Sequence, residues 1–320
     1  MHKLLSRLNI DSYILMLVGT VVLASVLPAR GTLAGIAENI ATAAIVALFF
    51  LHGARLSREA VIEGASNWRL HLTVALTTFV IFPVMGLLVH SLPGVPAPVS
   101  TGLLFLTLLP STVQSSIAFT ALARGNVAAA VCSASFSNLA GIVLTPLLVT
   151  ALMSAKSGGL SLHAVETIVF QLFLPFLAGH LLRPWIGGWV ARQKRLLTWV
   201  DRGSILLVVY TAFGAAVVKG IWHQVSPQDL AVIVLLSVLI LAFVLTITRF
   251  LARRMRFKHE DMIVLQFCGS KKSLASGVPM AGVFFPAAQV GAIILPLMFF
   301  HQIQLMICAY LARKYASGAE

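Results

Sequence analysis

The chain is a succession of apolar segments, each about as long as a bilayer is thick. A hydrocarbon core of roughly 30 Å takes about 20 apolar residues per helix. Ten such segments follow one another, at 12–29, 33–53, 69–92, 99–123, 127–153, 164–184, 203–222, 229–250, 261–284 and 289–312. With 59% hydrophobic and only 10% charged residues, and a mean hydropathy of +0.95, the composition excludes a soluble domain of this length. Backbone groups in lipid have to be satisfied within their own segment, so segments of this length are helices. The sequence predicts an all-α polytopic membrane protein.

The net charge of +13 would suggest nucleic acid in a soluble protein. Here the positions of the basic residues matter more than their sum. With ten helices and both ends on one side, that side collects Lys3, Arg7, Arg55, Arg58, Arg69, Arg124, Arg183, Arg192, Lys194, Arg195, Arg202, Arg249, Arg253, Arg254, Arg256, Lys258, Arg313 and Lys314. Only Arg30, Lys156 and Lys219 fall on the other. Cytoplasmic loops gather Lys and Arg, so both termini are expected in the cytoplasm, in a multi-pass protein of the cell (inner) membrane. The first segment has the outline of a cleavable signal peptide, but only a retained first helix keeps this charge pattern consistent. "RQKR" (192–195) and "RRMRFKHE" (253–260) read as loops against anionic lipid headgroups, with no nucleic-acid role. Cys132, Cys268 and Cys308 lie inside apolar segments without CxxC or metal-ligand spacing, and read as small buried hydrophobes.

Two segments differ from the rest. The fourth is interrupted by "LPSTVQSS" (109–116) and the ninth by "CGSKKS" (268–273), each polar where a span should be most apolar. They lie five helices apart, and an odd number of helices per repeat makes the second copy enter from the opposite face. The expected architecture is a single membrane domain over 1–320, built of two inverted five-helix repeats at 12–153 and 164–312. Corresponding interrupted helices are the best sequence pointer to a transport site near the midplane, because unpaired backbone is tolerated there only beside a cavity or a partner.

Candidate site residues follow from the breaks. Thr112, Gln114, Ser115 and Ser116, with Ser111, bring neutral oxygens that suit a hard cation such as sodium but can equally donate to an anion. Ser137 and Asn138 in "CSASFSNLAG" (132–141) could reach the same break, Ser133, Ser137 and Gly141 sharing one helical face. For all of these, close packing and interhelical bonding are the simpler alternative. Lys271 and Lys272 lie about ten residues from either end of their span, too deep to snorkel. Each costs roughly 2.5–3.5 kcal/mol there on insertion scales. Flanked by Ser270 and Ser273 and placed at the start of a half helix, they make an anion site. Glu38 could instead neutralise them, and an ammonium away from water can release its proton, which leaves proton coupling open. "GSKKS" lacks the glycines of a phosphate-binding loop. His301, Gln302 and Gln304, and Gln171 and His180, read as interhelical polar contacts.

The interrupted helices, "PSTVQSSIAFTALARGNVAAA", "SFSNLAGIVLTP" and above all "FCGSKKSLASGVPMA" resemble the bile acid:sodium symporter family, in its SBF-like branch, over essentially the whole chain. The resemblance implies a panel domain and a core domain, with the fourth and ninth helices crossing at their breaks. In sodium-coupled members two sodium ions sit beside that crossing. The motifs place Ser115 and Ser116 at that family's Ser-Asn, Ser137 and Asn138 at its Ser-Thr, and Thr78, before "FVIFP", at its glutamine. Lys271 and Lys272 stand where it has Gln-Asn, and Phe267 lies near its glutamate. The expectation is a secondary transporter of small organic anions, not an enzyme, using no cofactor beyond a sodium ion or proton as coupling ion, with membrane lipids as its other partner. The alternative is a non-transporting regulator of the same fold, acting through its basic loops.

Overall fold

In the computed structural model, residues 12–55, 67–153, 166, 169–218, 220 and 226–318 are described, and all of the regular structure among them is helical. In chain order the α-helices are α1 (Ser12–Val26), α2 (Thr32–Arg55), α3 (Trp68–Leu76), α4 (Phe82–His90), α5 (Ala97–Thr107), α6 (Gln114–Leu122) and α7 (Val127–Met153). They continue as α8 (Leu174–Arg192), α9 (Lys194–Val218), α10 (Pro227–Arg254), α11 (His259–Gly269), α12 (Leu274–Phe284) and α13 (Ala287–Ala316). Lys3, Arg7, Arg58, Lys156 and Lys219 lie outside the described residues, as do 164 and 165 at the start of the sixth expected span.

Seven helical stretches among the described residues are long and apolar enough to cross a bilayer. The other expected segments appear as the shorter α1 and as two interrupted pairs, α5 with α6 and α11 with α12. Eleven residues of α5, α11 or α12 rise roughly 16 Å, about half a bilayer core. Large apolar side chains cover the outside, among them Val18, Val22, Leu147, Leu235, Leu239 and Phe250. A surface so apolar at helical periodicity is one that meets lipid. The protein is a multi-pass integral membrane protein.

Helix α2 packs along α8, and α9 lies against α1 and α2. The closeness of the first pair is written in two glycines: a Cβ at Gly53 would strike the Phe176 carbonyl, and one at Gly179 the Phe50 carbonyl. The rest of the molecule assembles around α5, α10 and α13, and touches the first group mainly where α9 meets α12 and α13. At one face, Asp261 at the start of α11 accepts from Asn67 before α3 (3.3 Å) and from Asn126 before α7 (3.0 Å), tying three helix ends together. Arg55, closing α2, pairs with Asp201 in α9.

Two expectations shift. "RQKR" does not form a loop: α8 ends at Arg192, Gln193 alone turns the chain, and α9 starts at Lys194. Charged residues extend a helix beyond its apolar window, because helix formation depends on backbone bonding and not on lipid contact. The third span is not a uniform α-helix but widens to a π-turn over Thr77–Ile81, as does the sixth over Val169–Phe173. Each π-turn is followed, after one residue, by a proline, Pro83 or Pro175. A proline has no N–H to give the preceding turn and its ring crowds the carbonyl there, so the turn opens.

Candidate functional site

The π-turn before Pro83 prepares one side of the site. Phe82 N–H bonds the Thr77 carbonyl, five residues back. The next bond in that register would run from residue 83 to Thr78, but Pro83 has no proton to give. The Thr78 carbonyl is left open to an outside donor.

Helix α5 supplies the other side. Its last turn tightens, with Leu108 N–H on Phe105 O (3.0 Å), and Pro110 then ends it. The carbonyls of residues 107–110 would be orphans deep in the membrane, at the partially negative end of a helix. Every one of them is met. Lys272 Nζ donates to Thr107 O (2.8 Å) and Leu109 O (2.7 Å), Thr145 Oγ1 to Leu108 O (2.8 Å), and Ser273 N–H to Pro110 O (2.9 Å).

The same ammonium donates to Thr78 O (2.8 Å) and lies 4.2 Å from the centre of the Phe82 ring. Three carbonyl oxygens around one nitrogen require three N–H bonds, so Lys272 is held as the ammonium. Its side chain is fully buried, and all three protons are spent on backbone. Its own backbone is clamped as well: Lys272 N–H donates to Gln304 Oε1 (2.8 Å), and Gln304 Nε2 donates to Lys272 O (2.9 Å) and meets His301 Nδ1 (2.9 Å).

Lys271 points the other way. Its Nζ donates to Ser115 O (2.9 Å) in the first turn of α6 and sits 3.9 Å from the Phe119 ring centre and 5.4 Å from that of Phe267. An ammonium over aromatic faces gains about 0.5–2 kcal/mol, more where water is excluded. Neither lysine makes a salt bridge with a described carboxylate. Glu38, weighed from sequence as their counterion, lies elsewhere, exposed on a cleft between α2, α9 and the α12–α13 junction.

The hydroxyls stitch the two breaks to each other. Ser111 Oγ donates to Cys268 O (2.6 Å) and Ser116 Oγ to Phe267 O (3.1 Å), so the open end of α11 is met from the first break as that of α5 is met from the second. Thr112 Oγ1 bonds Ser115 Oγ (2.8 Å) and Ser116 Oγ (3.1 Å). Ser137 Oγ accepts from Ser111 N–H (3.1 Å), and Asn138 Oδ1 accepts from Ser276 Oγ (3.0 Å) in α12. Gly141 lets α7 lie this close, since a Cβ there would sit 2.6 Å from the Pro110 ring. Ser273 caps α12 through Ser276 N–H (3.1 Å), and Ser270 Oγ folds back on Gln266 O (2.5 Å).

Of the residues singled out from sequence, Thr112, Ser115, Ser116, Ser137, Ser270, Lys271, Lys272 and Ser273 come together at one junction, buried except for the half-buried Ser115, with Asn138 beside it. Gln114 does not join them: it is exposed at the start of α6. Thr78 contributes its carbonyl and not its hydroxyl, whose oxygen is buried without a hydrogen-bond partner among the described residues. Sequence reasoning gave Gln304 an interhelical contact without naming Lys272 as its partner, and it missed the bond from Thr145 and the role of Pro83. The proline stood in plain view in "FVIFP", and mid-span proline is the signal that a carbonyl nearby needs a foreign donor.

The two interrupted helices thus meet at their breaks, with both lysine side chains spent between them. The family profile of the SBF-like CPA transporter family matches residues 11–317. The chain belongs to that family. This SBF-like protein is 54% identical over 313 residues to "Putative symporter YfeH" of Escherichia coli K12, covering 97% of this chain and 94% of the relative. It is 55% identical to "Uncharacterized protein PA2026" of Pseudomonas aeruginosa, covering 96% of this chain and 93% of that one. A more distant relative is "Sodium/bile acid cotransporter 7-B" of Xenopus laevis, 28% identical with 95% and 91% covered.

Proposed function

We propose that this SBF-like protein is a secondary transporter of small organic anions in which fixed ammonium groups stand in for a mobile coupling cation. The observation that carries the reading is the position of Lys272 Nζ, ringed by the Thr78, Thr107 and Leu109 carbonyls. Such a ring of backbone oxygens, two from a helix end and one freed by a π-turn, suits a monovalent cation, and here it already holds one. Lys271, with one carbonyl acceptor and an aromatic face, adds a second positive charge a residue away.

Two buried charges with no carboxylate among the described residues beside them give the crossing a positive potential, which favours an anionic solute approaching it. The same potential opposes sodium. A unit charge 4 Å away repels another by roughly 4 kcal/mol at an effective dielectric near 20. The oxygens of Ser115, Ser116, Ser137 and Asn138 are engaged with protein donors and acceptors, which supports uncoupled or proton-coupled transport over sodium symport. In this reading the chain has ten spans in two inverted repeats, 12–153 and 164–312. Helices α1, α2, α8 and α9 form the panel, the remainder forms a core that rocks against it, and both termini are cytoplasmic.

The test is uptake into proteoliposomes of a panel of radiolabelled organic anions under a sodium gradient, a proton gradient or neither. Uptake of at least one anion, indifferent to sodium and lost in Lys271→Met, is expected. Uptake that requires sodium would refute the substitution of fixed for mobile charge.

A further inference from the structure

The crossing is closed to solvent, but a cleft of about 260 Å3 opens between α2, α9 and the α12–α13 junction. It reaches the surface at Ala29 and Pro286, the end of the molecule opposite the Asp261 tie and the basic helix ends. The α2 wall is one helical face at spacings of three and four, Ala34, Ala37, Glu38, Ala41, Thr42 and Ile45. Facing it are the Val208–Ala215 stretch of α9, with Thr211, and the apolar Phe285 and Val290.

Among the described residues, Glu38 is the only charged side chain lining this cleft, and no Lys, Arg or His lines it. Among the described residues its carboxylate has no hydrogen bond and no ion pair. The lysines that could have matched it are committed to backbone carbonyls elsewhere. An unmatched negative charge in a half-apolar cleft attracts a positive group and repels a simple anion.

The size and walls favour an organic cation over a bare ion. The space equals the liquid volume of roughly eight or nine waters, and one carboxylate with scattered hydroxyls is far short of the oxygen shell that a bare metal cation needs. Alanine, isoleucine, valine and phenylalanine surfaces suit the methylenes next to an ammonium. We infer that this cleft is a subsite for an alkylammonium group held by Glu38, so that the cargo is a zwitterion. This rests on the carrier reading above and narrows its substrate class.

The test uses three probes with one carbon chain, butyrate, butylammonium and 4-aminobutyrate, on the purified full chain, with the midpoint of thermal stabilisation as readout. In the native protein 4-aminobutyrate binds best and butylammonium measurably. In Glu38→Gln both weaken at least tenfold while butyrate is unchanged or improved. Glu38→Asp keeps the native order, and all variants melt alike without ligand, because the side chain is exposed. Equal midpoints in native protein and Glu38→Gln overturn the subsite. Binding of butyrate alone overturns it while leaving the anion carrier standing. Stabilisation by sodium chloride over potassium chloride that is lost in Glu38→Gln assigns the carboxylate to an inorganic cation and overturns it too. Binding of none of the probes overturns the subsite and leaves the carrier reading to the uptake panel.

Discussion

Replacing Lys272 by Met keeps the length and volume of the side chain and removes only the ammonium. Three carbonyls, at Thr78, Thr107 and Leu109, then lose the donor that each has at 2.7–2.8 Å. A buried acceptor left without a donor costs about 1–3 kcal/mol, which makes about 3–9 kcal/mol for three. Against this stands the desolvation of the ammonium, several kcal/mol, which the substitution returns. The net expectation is a loss of about 2–4 kcal/mol. Lys272→Ala differs in leaving room: the ring of oxygens becomes a vacant cation site, and a monovalent ion at 100 times its Kd restores about 2.7 kcal/mol. The assay is thermal unfolding of purified protein in sodium chloride and in potassium chloride at equal ionic strength. Lys272→Met should melt well below the native protein in both salts. Lys272→Ala should be low in one salt and rescued in the other, and the native protein should be indifferent. If Lys272→Met melts with the native protein, or if sodium shifts the native protein as far as it shifts Lys272→Ala, the ammonium is not standing in for a cation.

Three further outcomes are expected. Gln304→Leu strips both the N–H and the carbonyl of Lys272 of their partners; it should destabilise by at least about 2 kcal/mol in chemical or thermal unfolding. Gly141→Val drives a side chain into the Pro110 ring, already 2.6 Å from where a Cβ would lie. It should cost about 1–3 kcal/mol by overpacking and reduce transport in proteoliposomes more than Gly187→Ala, which lies away from the crossing. Arg55→Ala breaks the pair with Asp201, whose side chains are 29% and 15% exposed; partial exposure limits the loss to about 1 kcal/mol, read as a small drop in melting temperature that high salt diminishes.

Much of the fold was legible because membrane helices declare themselves through length and hydropathy. The two breaks were legible for the opposite reason: polar runs at mid-span have no place in lipid, and the observed gaps between α5 and α6 and between α11 and α12 fall at "LPSTVQSS" and "CGSKKS". Hydrophobicity does not report helix ends in basic loops, which is why α9 starts at Lys194, well before its apolar window. Nor does it report what a lysine touches. From composition, Lys271 and Lys272 were equivalent anion ligands, yet one is bound to three carbonyls and the other to one carbonyl and an aromatic ring.

What the sequence determined by itself was the number and placement of apolar segments, the positions of the discontinuities, and the presence of two ammonium groups inside the bilayer. Each is a local property, set by how a short stretch of side chains partitions between water and hydrocarbon. Only the tertiary structure decided where those charges are spent. The acceptors that surround Lys272 come from residues 163 to 194 positions away, and they are backbone oxygens, which every residue carries. Their availability depends on which helices end, and on where a proline withholds a proton.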